Sequence, residues 1–219
     1  MLKNTELLPE AFARLLAWYS ASRRLLPWRQ DPTPYHTWIA EIMLQQTRIE
    51  AVIPYYERFL RELPDIPALA AVSEDRLLKL WEGLGYYSRA RNLKKAALLL
   101  MERYDGDLPA SAVELRKLPG IGDYTAGSIA SISFGLPEPA VDGNVLRVIT
   151  RALACADDIA MPATRRAVTD LLRAHYPSSD SAALLTEGIM ELGETVCLPN
   201  GIPLCDRCPL RGLCLSHRA

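Results

Sequence analysis

Apolar residues recur at intervals of three and four along most of this 219-residue chain, a spacing that places them on one face of an α-helix. No stretch shows sustained two-residue alternation, so the predicted fold class is all-α. Ser73 precedes an acidic first turn and predicts a helix start, Gly106 predicts a helix end, and Pro54 predicts a kink or split. The predicted helices cover residues 6–20, 34–62, 74–84, 88–103, 110–117, 123–134, 143–154, 163–175 and 180–196.

Net charge changes this picture little. A formal charge of −1 and a pI near 6.3 give no overall sign of a polyanionic partner, so nucleic-acid binding must be argued from local features. No apolar run approaches the roughly 20 residues that span a bilayer, and the N-terminal segment resembles an acidic amphipathic helix rather than a signal peptide. We therefore expect a cytoplasmic protein without membrane contact.

One short stretch interrupts the helical pattern with a proline and two glycines. The sequence "ELRKLPGIGDYTAGSIASISF" indicates a helix, a tight hairpin at Pro119, Gly120 and Gly122, and a second helix from Asp123. The free amides at the start of that second helix would attract a phosphate without any basic side chain. The alternative is an ordinary turn that uses glycine for close packing.

Four of the five cysteines lie within the last 23 residues: Cys197, Cys205, Cys208 and Cys214. Disulfide partners in a secreted domain are normally spread along the chain, so this crowding indicates a metal site instead. Zinc sites with four cysteines more often pair two short knuckles across a longer gap than the C-x7-C-x2-C-x5-C pattern seen here.

Two carboxylates are candidates for acid-base chemistry. On a helix, Glu41 would lie between the apolar side chains of Trp38 and Leu44, and burial favours the protonated form that a general acid needs. The alternative is a solvent-facing or capping glutamate at a helix margin. Asp142 precedes "GNVLRVITRALA", where the helix dipole favours an anion by roughly 0.3–1 kcal/mol. It could equally be a plain N-cap, and the two roles can coexist.

Several motifs in order resemble one protein family. "LPGIGDYTAG", "VDGN" and the late C-x-x-C resemble the helix-hairpin-helix DNA glycosylases of the endonuclease III superfamily, and among these the MutY-type adenine glycosylases. The resemblance runs from about Leu26 to Cys214 through "LPWR", "WIAEIMLQQTRIEAVIPYYERF", "WEGLGYYSRARNL" and "AVDGNVLRV". It implies a six-helix barrel domain at 22–133 and an iron-sulfur cluster domain formed by 1–21 and 134–219, with DNA crossing the cleft between them.

The resemblance also implies a reaction. The enzyme would hydrolyse the N-glycosidic bond of adenine mispaired with 8-oxoguanine or guanine in double-stranded DNA, acting as a monomer. Glu41 would protonate adenine N7, Asp142 would stabilise or covalently trap the sugar cation, and Tyr124 and Asn144 would complete the catalytic set. A [4Fe-4S] cluster would bind the four cysteines, although the family usually has six residues in the first gap and this chain has seven. Arg207 and Arg211 in that loop could reach a DNA phosphate.

Further positions match the family's DNA-binding residues. Gly120, Gly122 and Thr125 would hold the DNA backbone. Gln46 and Tyr86 would insert around the base opposite the adenine, and we expect at least one of Tyr86 and Tyr87 to pack in the core. The remaining substrate-binding positions are Arg24, Trp28, Arg29, Leu44 and Glu187. The basic run Arg89, Arg91, Lys94 and Lys95 could also reach phosphates, although such runs are usually solvated helix surface.

Three other functions stay open. An endonuclease III-like lyase needs a lysine two residues after the second hairpin glycine, and Tyr124 stands there. Thymine glycosylases of T:G mismatches can carry tyrosine at that position, so "VDGN", "LPWR" and "LGYYSRARNL" favour adenine. A non-catalytic iron-sulfur DNA-binding module would not need both Glu41 and Asp142. The chain ends five residues after Cys214, so we expect a catalytic region without the family's C-terminal domain and with weaker preference for 8-oxoguanine.

Overall fold

The structure, a computed structural model, describes residues 2–218 and consists of helices joined by short connections. Within these residues there is no β-strand, which confirms the predicted all-α fold class. No helix among them is long and apolar enough to span a membrane.

The chain divides into two compact units. One comprises Leu25–Phe134, and the other comprises the described residues up to Arg24 together with those from Gly135 onward. The sequence places these boundaries at 21/22 and 133/134. The first unit is thus an insertion between two segments that build the second.

The Leu25–Phe134 unit contains six longer helices and two helices of four residues. They are α2 (Pro27–Gln30), α3 (Pro34–Leu44), α4 (Ile49–Glu62), α5 (Ile66–Ala71), α6 (Glu74–Trp81), α7 (Ser88–Arg103), α8 (Ala112–Leu115) and α9 (Asp123–Phe134). Large buried side chains fill their interior, among them Trp38, Phe59 and Trp81, and the last two meet edge to face at 6.0 Å between ring centroids. Helix α3 packs against both α4 and α9, so its side chains line the middle of the unit.

The second unit is built around α1 (Leu8–Ser22), α10 (Gly143–Ala152), α11 (Pro162–His175) and α12 (Asp180–Thr195), with the short α13 (Leu215–Arg218) near its end. Helix α12 packs against both α1 and α10. Their apolar faces meet in one buried cluster that includes Leu15, Ile149, Val168 and Leu185. The first of the late cysteines, Cys197, lies two residues after α12, so this core fixes where the cysteine loop begins.

Local signals place most helix ends. The Ser73 side chain accepts a hydrogen bond from the Arg76 amide and caps α6, and Gly106 adopts a left-handed φ of 82° after α7, so both predicted boundaries are confirmed. The predicted split at Pro54 is wrong, because Pro54 lies inside α4. The break falls at residues 45–48 instead, where Gln46 takes a left-handed φ of 57°.

Candidate functional site

The first candidate side chain, Glu41, sits in the third turn of α3. It is only 7% exposed, between the buried residues Ala40 and Ile42, which confirms the burial predicted from the apolar spacing. The hydroxyl of Ser128 on α9 donates a hydrogen bond to its Oε1 at 2.7 Å. A carboxyl in such surroundings is the kind of group that can hold a proton for transfer. Its role as an acid stays a prediction.

Asp142 belongs to the other unit and caps α10. Its Oδ1 accepts from the Val145 amide at 2.8 Å and its Oδ2 accepts from Asn144 Nδ2 at 2.9 Å. The N-cap reading is therefore confirmed. Both oxygens act as acceptors, which is how an ionised carboxylate bonds.

Arg147, which sequence reasoning missed, extends this hydrogen-bonded chain. Its Nη2 donates to Asn144 Oδ1 at 2.7 Å and to the Gly193 carbonyl at 2.8 Å, and its Nε donates to the Cys197 carbonyl at 2.7 Å. Because Arg147 can only donate, it fixes the oxygen of the Asn144 amide and leaves the NH2 group facing Asp142. Burial lowers the pKa of the guanidinium, while Cys197 and Asp142 act in the opposite direction.

The four late cysteines line one cavity of about 290 Å³. All four are free thiols, and Arg151 Nη1 approaches Cys197 Sγ at 3.4 Å. Burial raises the pKa of the Cys208 thiol to about 11. Among residues 2–218, no three His, Cys, Asp or Glu side chains are grouped to hold a single metal ion.

The metal groups that four cysteines bind differ in the geometry they require. A tetrahedral zinc site needs four ligands about 2.0–2.3 Å from one point. A [4Fe-4S] cluster instead takes four thiolates, which surround a larger body. Four thiols that line one cavity are the kind of ligand set that such a cluster takes.

The seven-residue gap after Cys197 forms an exposed loop. Gly201 takes a left-handed φ of 74° there and Ile202 is 89% exposed, while the Leu204 amide returns to the Val196 carbonyl at 2.9 Å. Most of this loop is therefore exposed, although Pro203 lines the same cavity as the cysteines. Of the two arginines expected to reach phosphate, Arg211 pairs with Asp206 at 3.0 Å.

The glycine-rich hairpin joins α8 to α9. Gly120 has a left-handed φ of 82°, and a Cβ there would lie 3.0 Å from Asn92 Cβ. Gly122 has no left-handed φ, and an added Cβ there would meet no protein atom within 4 Å, so of these two glycines only Gly120 is required by the fold. The Gly122 carbonyl accepts the Ala126 amide, so Gly122 caps α9, whose first turn has amides without intrahelical acceptors.

Helix α9 also carries two of the predicted site residues, Tyr124 and Thr125. Tyr124 is half-buried, two residues after Gly122. Thr125 is 2% exposed and its Oγ1 accepts from Gln45 Nε2 at 3.4 Å, so its hydroxyl is turned away from the surface. Any contact that Thr125 makes with a phosphate must come from its backbone amide.

Gln46 and Tyr86 share an unusual backbone. Both are exposed, with Tyr86 at 61%, and both take left-handed φ values, 57° and 48°. Residues other than glycine rarely adopt the left-handed φ region, and such backbone strain is concentrated at functional sites. The expectation that Tyr86 or Tyr87 packs in the core is wrong, because Tyr87 is also 39% exposed.

Arg89 joins the two loops that carry Gln46 and Tyr86. Its guanidinium is buried and donates to the carbonyls of Gln45 at 2.6 Å and of Gly85 at 3.2 Å, and also to those of Ile42, Met43 and Leu84. Burial lowers its pKa. The prediction that Arg89 belongs to a basic surface run is therefore wrong.

The other three residues of that basic run, Arg91, Lys94 and Lys95, have different surroundings. Lys94 donates to the carbonyls of Ala70 and Val72, which end α5. Arg91 pairs with Glu74 at 2.8 Å, and Lys95 is exposed. Only the last two are therefore placed as surface cations.

The other predicted substrate-binding residues fall in both units. In the Leu25–Phe134 unit, Trp28 is buried edge to face against Tyr56 at 5.4 Å between ring centroids, and Arg29 and Leu44 are half-buried. In the other unit, Arg24 forms ion pairs with Glu191 and with Glu194, and the hydroxyl of Tyr19 donates to Glu187 at 2.9 Å. The pKa of Arg24 is raised, chiefly by its hydrogen bond to Glu191.

Comparison with known proteins shows the family of this chain. Residues 39–174 match the family model of the HhH-GPD superfamily of base excision DNA repair proteins. The chain is 40% identical over 218 residues to the adenine DNA glycosylase of Rattus norvegicus, covering 95% of this chain and 42% of the rat protein. It is 38% identical over 209 residues to that of Buchnera aphidicola subsp. Baizongia pistaciae, covering 94% of this chain and 58% of the other.

A solved structure of a thermostable thymine-DNA glycosylase matches with a TM-score of 0.85 at 24% identity, covering 97% of this chain and 99% of that one. At this identity the likeness concerns the fold alone. The chain spans about half the length of the curated relatives it matches.

Proposed function

Because this chain belongs to the HhH-GPD superfamily of base excision DNA repair proteins, we propose that it is a DNA glycosylase that removes adenine from mispairs. The observation that carries the proposal is the 40% identity to an adenine DNA glycosylase across 95% of the chain. Tyr124 supports hydrolysis without lyase chemistry, because a phenol cannot form the Schiff base that a lysine would form.

Cleavage of a purine N-glycosidic bond needs a proton on the leaving base and negative charge beside the sugar cation. In our proposal, Glu41 delivers its proton to adenine N7, and the Asp142 carboxylate stabilises the cation that develops at the sugar. The contrast between their surroundings supports this division. Glu41 is buried in the middle of a helical unit, whereas Asp142 accepts two hydrogen bonds at a helix N-terminus.

Double-stranded DNA is the proposed partner, with an A:8-oxoguanine or A:G mispair as substrate. The amides at the start of α9 would bind a phosphate. Extruding the adenine costs a few kcal/mol of stacking and pairing, and side chains that fill the vacated space recover part of it. Gln46 and Tyr86 suit that task, because both are exposed and Arg89 holds the carbonyl of the residue before each of them.

The proposed cofactor is a [4Fe-4S] cluster held by Cys197, Cys205, Cys208 and Cys214. The four free thiols around one cavity fit such a cluster. When bound, the cluster would cross-link the cysteine loop and so stabilise it. Within this chain, Arg147 and Arg151 connect the start of that loop to α10, the helix that Asp142 caps.

A glycosylase assay on defined duplexes tests the substrate. Duplexes containing A:8-oxoguanine, A:G, T:G or thymine glycol are incubated with excess protein and analysed with and without alkali. We expect strand breaks only at adenine and only after alkali. Excision of thymine instead, or strand cleavage without alkali, would overturn the proposal in favour of the thymine glycosylase or the lyase.

A further inference from the structure

A buried hydroxyl contacts the proposed general acid. Ser128 lies on α9, is 0% exposed, and donates to Glu41 Oε1 on α3 at 2.7 Å. The two residues are 87 positions apart, so the contact exists only because α3 and α9 pack together. Neither helix needs this contact for its own hydrogen bonding, since it joins two side chains.

We infer that Ser128 is a positioning residue for the acid, because its hydroxyl keeps Oε1 as the accepting oxygen and thereby assigns the transferable proton to Oε2. In a protonated carboxyl, the carbonyl oxygen is the better acceptor, and the other oxygen carries the proton. The inference rests on the proposed role of Glu41.

The same contact also affects the pH at which the Glu41 carboxyl loses its proton. A hydrogen bond donated to a carboxyl is stronger when that carboxyl is charged, so Ser128 favours the ionised form and opposes the effect of burial. Removing the hydroxyl should let Glu41 keep its proton to higher pH. Charged hydrogen bonds exceed neutral ones by an amount that corresponds to a shift of about half to one pH unit.

Other ionisable groups lie on the helices around α3. Arg29 of α2, Tyr55 and Tyr56 of α4 and Tyr124 of α9 are buried or half-buried, and Arg89 of α7 donates to carbonyls at the end of α3. All of them are unchanged when Ser128 is replaced. A difference between parent and variant therefore reports the serine hydroxyl.

The first test needs no substrate. Infrared spectra of the full chain with carbon-13-labelled glutamate are recorded from pH 4 to pH 9, and Glu41→Gln identifies the band of Glu41. We expect the midpoint of its titration to rise by about half to one pH unit in Ser128→Ala. An unchanged midpoint would overturn the inference.

Two further variants separate this effect from a loss of packing. Ser133 also donates from α9 to α3, to Thr37 Oγ1 at 2.8 Å, but touches no carboxyl, so Ser133→Ala should leave the midpoint unchanged. Ser128→Thr keeps a hydroxyl and should retain the parent midpoint. Should Ser128→Ala fail to fold, an altered midpoint in Ser128→Thr would count against the inference.

The second test measures single-turnover adenine excision against pH. The protonated acid is the active form, so the rate falls as pH rises through the ionisation of Glu41. In Ser128→Ala, the alkaline limb of the plot of excision rate against pH should move to higher pH by the same amount as the infrared midpoint. A shifted midpoint with an unshifted limb would contradict Glu41 as the acid, and a shifted limb with an unshifted midpoint would contradict the role of Ser128.

Discussion

Replacing Arg147 with methionine should impair both stability and catalysis. The guanidinium satisfies the carbonyls of Gly193 and Cys197 and fixes the Asn144 amide against Asp142. Leaving two largely buried acceptors without a donor costs about 1–3 kcal/mol each, so we expect a loss of about 2–6 kcal/mol in the free energy of unfolding.

The catalytic loss follows from Asn144. Without Arg147 its amide can turn, and the hydrogen bond to the Asp142 carboxylate is lost. A hydrogen bond to a charged group contributes about 1.5–3 kcal/mol, which corresponds to a rate reduced about 10- to 150-fold. The assay is single-turnover excision of adenine with saturating protein, alongside chemical denaturation.

Arg151→Met provides the matched control. Arg151 lies one turn later on α10 and contacts the same loop, through the Leu198 carbonyl at 2.8 Å and Cys197 Sγ, but does not touch Asn144. Arg151→Met should lower the stability of the cysteine loop but keep the excision rate within about threefold of the parent, since the hydrogen bond between Asn144 and Asp142 is retained. Equal rates in Arg147→Met and the parent, or equal losses in the two variants, would refute the reasoning.

Four other substitutions test separate parts of the account. Gly120→Ala should lose about 1–2 kcal/mol of stability and weaken DNA affinity, because φ is left-handed there, whereas Gly122→Ala should change stability little; denaturation and DNA binding measure both. Arg89→Met should lose about 3–5 kcal/mol in denaturation, since its buried carbonyl acceptors lose their donor, and unchanged stability would contradict the contacts drawn here. Cys208→Ser should abolish the brown absorbance of an iron-sulfur protein; a variant with unchanged absorbance would exclude Cys208 as a ligand.

Much of the fold could be predicted from the sequence, because its helices carry clear periodicity and end signals. Helix α7 has the predicted bounds, and so does α9, which follows the hairpin glycines. Helix α5, by contrast, was not predicted, since six residues are too few to show a 3.6-residue period. Pro54 does not split its helix, because a proline ends a helix only on average, and the break occurs near Gln46 instead.

The site was predictable to the extent that its residues lie in local motifs. Burial of Glu41 followed from its apolar neighbours, and the N-cap role of Asp142 followed from the helix after it. Arg147 and Ser128 were missed because the Cys197 carbonyl lies 50 residues from Arg147 and Glu41 lies 87 residues from Ser128, and no local pattern reports such contacts. Arg89 was misjudged for the same reason.

The identity of the released base tests the central claim most directly. The chain is incubated with an A:8-oxoguanine duplex, and the products are separated by chromatography and identified by mass. The account predicts free adenine and an intact strand with an abasic site, and no free base from Glu41→Gln. No adenine from the parent, or undiminished release by Glu41→Gln, would contradict it.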